Sequence, residues 1–255
     1  MIRIEHVSHH FAAGSGRPIH ALRDIDFEIG ENEFVTVVGR SGCGKSTLLR
    51  IVDGLVRPTQ GRVTIRGKPV ERPKRDISLM FQRSALLPWR NVLDNVLLPV
   101  EVLRLPRREY RRRAEELLAL VGLEGFEGRR PYELSGGMQQ RAALCRALVH
   151  DPDVLLMDEP FAALDALTRE ELALELQRLW GEHRKTIVFV THSIQEAVLL
   201  ADRIVVMTPR PGTVARIVPV DLPRPRSLST VSEELSRASA EVHELLFAPA
   251  PVAAT

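Results

Sequence analysis

The chain has 255 residues, 44% of them hydrophobic and 27% charged, which is room for an ample core in one large domain or two small ones. A net charge of +2 and a pI near 8.7 are too weak a basic bias to imply a nucleic-acid partner. No apolar run reaches the roughly 18 to 20 residues that span a bilayer, and "MIRIEHVSHHF" lacks the apolar core of a secretory signal. A cytosolic chain is expected, with any membrane role supplied by a partner. The two cysteines, Cys43 and Cys145, have neither CxxC nor metal spacing and predict no disulfide framework.

In chain order, "IRIEHV", "IDFEI" and "EFVTVVG" read as short strands within residues 1–38. "KSTLLRIVDGL" is helical and is closed by Pro58 and Gly61. "GRVTIRG" and "ISLMF" (77–81) are further strands. Residues 83–150 change character. "PRREYRRRAEELLALVGL" and "MQQRAALCRALVH" have helical periodicity with no strand between them, which predicts a helical insertion of about 83–150 into an α/β core. Strands return at "DVLLMDEP" (153–160), "TIVFVTH" (186–192) and "RIVVMT", separated by the helices "LTREELALELQRLWGEH" and "IQEAVLLAD". Strands alternating with helices imply a parallel sheet covered on its faces. From about residue 221 the chain is rich in Pro and Arg. A helix is expected at "SEELSRASAEVHELL", followed by a disordered end, "APAPVAAT".

Three motifs carry chemistry. "GRSGCGKS" fits G-x-x-x-x-G-K-[ST] between a strand and a helix, the setting of a phosphate-binding loop. Gly39, Ser41, Gly42, Cys43 and Gly44 would bring backbone N–H groups to the phosphates, helped by the helix N-terminus. Lys45 would reach the β and γ phosphates, Ser46 would ligate Mg²⁺, and Thr47 follows in the first turn. Cys43 at a helix start predicts a lowered thiol pKa and an alkylatable thiol that a bound nucleotide protects. In "VLLMDE", an apolar strand ends at Asp158, suited to Mg²⁺, and Glu159, placed to polarise an attacking water. In "LSGGMQQR", Ser135 is a good N-cap, and Gly136 and Gly137 bare the first turn. Two successive glycines near a helix start cost about 1 kcal/mol each in a helix interior and want a reason. An anion held by hydroxyl and N–H groups supplies one; an ordinary capped helix is the plainer alternative.

These motifs, in this order, resemble the ATP-binding subunit of an ABC transporter over residues 1 to about 225. The resemblance implies a P-loop NTPase (RecA-like) α/β core with an N-terminal antiparallel β-subdomain and the inserted helical subdomain. It implies ATP with Mg²⁺, and a homodimer packed head to tail. Each ATP would lie between one chain's phosphate loop and the other's Ser135-Gly136-Gly137, which answers why one chain carries two phosphate-binding helix starts. By the same resemblance, Gln82 contacts Mg²⁺ or the attacking water and His192 contacts the γ-phosphate. Asp165 in "AALD" (162–165) crosses the dimer interface, and Phe11 in "VSHHFAAG" stacks on adenine where the family commonly has Tyr. His9 and His10 compete with Phe11 for that place.

"LLPW", "NVLDNV", "DEPFAALDALTRE", "THSIQEAVLLADRIVVM", "RPG" and "LPRPR" resemble the nitrate, sulfonate and taurine importers. That implies a peripheral subunit on the cytoplasmic face of the membrane. It would dock on transmembrane permease subunits through residues 82–101 and be served indirectly by a solute-binding protein. An exposed Leu86, Leu87 and Trp89 would mark that docking site; the alternative is that they are core. The run "RLPRREYRRR" reads as the solvated face of a helix. A soluble non-transport ABC ATPase, a nucleotide sensor, and an importer of a pyrimidine-type vitamin precursor are the competing functions.

Overall fold

The computed structural model describes residues 1–12, 18–162, 164–227 and 233–247. In chain order its elements are β1 (Ile2–Phe11), β2 (Ile19–Ile29), β3 (Phe34–Gly39), α1 (Lys45–Asp53), β4 (Gln60–Ile65), β5 (Lys68–Pro69) and β6 (Ile77–Met80). There follow α2 (Val92–Val96), α3 (Leu98–Val102), α4 (Arg107–Leu120), a 3-10 turn (Pro131–Glu133) and α5 (Gly136–Leu148). The chain then runs through β7 (Val154–Asp158), α6 (Ala166–His183), β8 (Thr186–Thr191), α7 (Ile194–Leu200), β9 (Arg203–Met207), β10 (Val214–Pro219) and α8 (Glu233–Phe247).

Two sheets form. The first, in order β2-β1-β4-β5, is antiparallel, and β1 begins as a half-buried strand should, Ile2 and Ile4 inward and Arg3 outward, before an irregularity in pairing between Ile4 and Val7 moves the inward set to Val7 and His9. The second runs β10-β9-β3-β8-β7-β6, parallel throughout except for the antiparallel edge strand β10. Every residue of β3, β7 and β8 is buried, because both faces of this sheet are covered. On one face α1 and the antiparallel sheet share a core built on Ile4, Leu48, Ile51, Val154 and Val190. On the other, α2 to α6 pack around Phe34, Phe161, Phe189 and Trp180. The expected α/β fold with its N-terminal antiparallel sheet is therefore present.

Some elements differ from the sequence reading. β5, α2 and α3 are too short to show a period, and β10 lies between "RPG" and Pro219, where prolines obscure its alternation. α2 exists because Asn91 caps it, accepting from the Asp94 N–H at 2.7 Å. The basic run forms the outer face of α4, where Arg111 and Arg112 pair with Glu115 and Glu116 one turn on. The segment after residue 225, set apart in the sequence, is tied to the core. Arg226 is buried, and its guanidinium donates to the carbonyls of Val198, Ala201, Val220 and Leu222. α8 packs Val242 against the cluster of α7 and β9. The expected disordered end, 248–255, lies outside the described residues.

Candidate active site

β3 delivers the phosphate loop. After Gly39 the chain must reverse into α1 within five residues, and Gly42 (φ 76°) and Gly44 (φ 107°) take the left-handed conformations that allow it. A Cβ on Gly44 would stand 2.6 Å from Leu22 Cδ2 and 2.9 Å from the Ala21 carbonyl. This close approach seats β2 directly on the loop. The Lys45 ammonium is buried and donates to the Gly39 carbonyl at 2.7 Å and the Arg40 carbonyl at 3.3 Å. Among the described residues no carboxylate forms an ion pair with it, so its charge is available to an anion.

β7 delivers the acids. The Ser46 hydroxyl donates to Asp158 Oδ1 at 2.9 Å. Burial raises the Asp158 pKa, the Ser46 bond lowers it, and the Glu159 charge raises it again. Glu159, next along, has φ 48°, an uncommon conformation for a residue with a side chain and one that turns its carboxylate out of the strand. Glu159 Oε2 accepts from Gln82 Nε2 at 3.0 Å and lies 3.3 Å from His192 Nδ1. The loop carrying His192 is fixed by neighbours the sequence reading did not single out. The Thr191 hydroxyl donates to the buried Glu196 at 2.5 Å and accepts from the Ser193 N–H at 2.9 Å. Ser193 caps α7 through the Glu196 N–H, so "SIQE" is a capping signal that was legible in the sequence.

Lys45, Ser46, Gln82, Glu159 and His192 line one cleft of about 500 Å³, within the range of small-ligand sites, while Asp158 lies behind it, bonded to Ser46. Its walls include Phe11, Ser41, Gly42, Gly44, Lys45, Ser46, Thr47, Gln82, Glu159 and His192. Phe11 is 43% exposed, while His9 is buried edge-on beneath it at 4.6 Å between ring centres. Of the three candidate rings, Phe11 is thus the one that faces the cleft. Ile19, Ala21 and Arg210 also line it, unread in the sequence because only the tertiary fold brings them there.

Other expected site residues stand elsewhere. Ser135, Gly136 and Gly137 do not line the cleft. Ser135 caps α5, accepting from the Met138 N–H at 3.2 Å, and both Ser135 and Gly136 are exposed. Asp165 caps α6, accepting from the Thr168 N–H at 3.0 Å and the Thr168 hydroxyl at 2.8 Å. The Thr168 N–H, with help from its hydroxyl, lowers the Asp165 pKa.

The expected reactive thiol is corrected. Cys43 is 1% exposed, its Sγ directed under the loop at Gly39, and burial pushes its thiol pKa up despite nearby Lys45. Its place in the loop leaves only its backbone for phosphate. Cys145 is also buried, as a small core residue should be.

The residues fit a nucleotide with Mg²⁺. The donor set for a cation is a hydroxyl and a carboxylate, hard oxygens that suit a metal keeping waters and phosphate oxygens as its other ligands. Among the described residues, no cluster of three His, Cys, Asp or Glu offers a closed metal cage.

A glycine loop between a parallel strand and a helix, a buried lysine, and two acids at the end of β7, one strand removed from β3 in the same sheet, define a P-loop nucleotide hydrolase. The comparisons agree and go further. The ABC transporter model matches residues 22–162, more than half of the chain. The chain is 47% identical over 245 residues to a taurine import ATP-binding protein of Rhizobium johnstonii, covering 96% of this chain and 93% of that one. It is 43% identical to a nitrate import ATP-binding protein of Synechococcus elongatus, covering 90% and 85%. A solved dimeric ATP-binding cassette in a post-hydrolysis state with ADP and phosphate superposes with a TM-score of 0.79 at 36% identity, covering 87% of this chain and all of that one. The chain belongs to the ABC transporter family, and it is an ATPase.

Proposed function

We propose that this chain powers the import of a small solute, acting as a head-to-tail homodimer on the cytoplasmic face of a membrane beneath a separate permease. The observation that carries the reading is the placement of Ser135-Gly136-Gly137. A capped, exposed helix start with bared backbone stands apart from its own chain's cleft, and that cleft is open to solvent. A second copy related by a two-fold axis would close each cleft with the other's helix start, giving two equal sites. Among the described residues no helix is long and apolar enough to cross a membrane, so the permease is a separate chain in this reading.

Within the cleft, Lys45 and the loop amides would hold the phosphates, and Ser46 and Asp158 would hold Mg²⁺, which neutralises charge developing on the phosphates. Phe11 would stack on adenine. Glu159 would take the proton of the attacking water, oriented by Gln82, while His192 contacts the terminal phosphate. Asp165 would cross to the partner chain.

Gln82 also begins the docking surface. Its carbonyl accepts from Gln140 of α5 at 3.4 Å, and Arg146 of α5 holds the carbonyls of Ser84 and Ala85. The buried Asn95 side chain bonds the backbone of Leu87, Arg90 and Asn91, shaping the turn that leaves Trp89 68% exposed. Leu86 and Leu87 are half-buried, so Trp89 is the member of that cluster free to meet a permease. Nitrate, sulfonates and taurine are the proposed cargoes, delivered by a solute-binding protein.

Growth on single sulfur and nitrogen sources tests this in a strain lacking the chain. A defect on taurine, a sulfonate or nitrate, rescued by wild type but not by Lys45→Ala, is the expected result. Rescue by Lys45→Ala would contradict ATP-driven import.

A further inference from the structure

We propose that Arg210 is a second phosphate-binding cation of this nucleotide site. The proposal rests on the nucleotide reading above and adds to it a residue outside its motifs. The sequence segment "TPRPGT", 208–213, forms a closed loop after β9. Thr208 N–H donates to the Thr213 carbonyl at 3.0 Å, and Thr213 N–H donates to the Thr208 hydroxyl at 2.9 Å. The two hydroxyls lie 2.9 Å apart. Gly212 fastens this loop to the antiparallel sheet: its N–H donates to the Ala21 carbonyl at 3.0 Å, and its carbonyl accepts from the Arg23 N–H at 2.9 Å. It is also pressed against the phosphate loop. A Cβ at Gly212 would stand 2.1 Å from the Cys43 carbonyl, so no side chain fits. The backbone carrying Arg210 is therefore fixed relative to both walls of the cleft.

From that base, Arg210 Nε donates to the Gly42 carbonyl at 3.1 Å, and Nη2 lies 3.2 Å from where a Gly42 Cβ would be. The residue is exposed and lines the cleft. Among the described residues no carboxylate pairs with it, unlike Arg203 on the strand before it, which is held by Glu33. The forked guanidinium can thus hold the loop turn with one N–H and offer its Nη groups to an oxyanion beside it. Lys45 supplies a buried point charge from within the loop; Arg210 supplies a rimward one from a different element. The ligand chemistry is the di- or triphosphate of a nucleotide.

Isothermal titration of ADP with Mg²⁺ at two salt concentrations tests this. Arg210→Ala, Arg210→Gln and Arg210→Lys would be compared with wild type, with apo thermal unfolding confirming intact folds. Arg210→Gln keeps a donor for the Gly42 carbonyl but no charge. The expected result is a loss of about tenfold in affinity for the Ala and Gln variants and a shallower salt dependence, one charge-assisted contact being lost. The Lys variant should recover the salt dependence and part of the affinity. Binding by Arg210→Gln equal to wild type would overturn the proposal. So would an Arg210→Lys no better than Arg210→Gln, which would reduce Arg210 to a prop for the loop. Lys45→Ala is the separate control: if it binds ADP as wild type does, the nucleotide reading itself fails, whatever Arg210 does.

Discussion

Asp53, the last residue of α1, is 6% exposed and sits at the helix end where backbone carbonyls already concentrate negative potential. Burial pushes its pKa up to about 6 from an ordinary 3.8. Between those values the folded chain holds a proton that the unfolded chain has released. Stability from this group is therefore full below about pH 4 and is lost as pH rises through 6, by on the order of 2–3 kcal/mol. Asp53→Asn should remove that loss. Urea unfolding should show the variant more stable than wild type at pH 7.5, with the gap closing toward pH 4; an equal gap at both would contradict it. Cys43 yields a second expectation. Its burial predicts that a thiol reagent labels neither Cys43 nor Cys145 in the native protein over minutes but labels both in denaturant, read by mass spectrometry. Rapid native labelling at Cys43 would show the loop opening. At this scale the sequence carried the glycines, Lys45 and the two acids, because motif and flanking elements sit together in the chain. It misled on Cys43, since a helix start lowers a thiol pKa only where solvent reaches the sulfur, and here packing against Gly39 wins.

α5 is the element on which the dimer reading turns. Within one chain its start is an ordinary capped helix, worth about 1 kcal/mol for the Ser135 cap. A second copy, in the proposed dimer, would give the two glycines their reason. Ser135→Arg should leave ATP binding by the monomer intact and abolish ATP-driven dimerisation, seen by size-exclusion chromatography with light scattering. Loss of monomer binding would place Ser135 at its own chain's nucleotide. α5 also bonds the Gln82 segment, so one helix links the Ser135-Gly136-Gly137 start to the proposed docking surface. Legibility among the elements followed length and period. β3, β7 and β8 announced themselves as continuous apolar runs, and α4 and α6 as long periodic helices. α2 and α3, at five residues each, carry no period, and Arg210 could not be assigned from sequence because its partner, Gly42, is 168 residues away.

At the scale of the whole molecule, one chain presents one half of each of two expected sites: an open cleft and, apart from it, an exposed helix start. The sequence named both expected halves and the resemblance set them in different chains; within one chain the fold holds Ser135, Gly136 and Gly137 away from the cleft. In the proposed cycle Glu159 drives hydrolysis, and ATP holds two copies together until it does. The most direct measurement is ATP turnover and mass in solution for Glu159→Gln. The variant should bind ATP near wild type, turn it over at least about a hundredfold more slowly, as for loss of a general base, and form a stable dimer in ATP with Mg²⁺. A Glu159→Gln protein that hydrolyses ATP at the wild-type rate, or that stays monomeric with ATP bound, would contradict it.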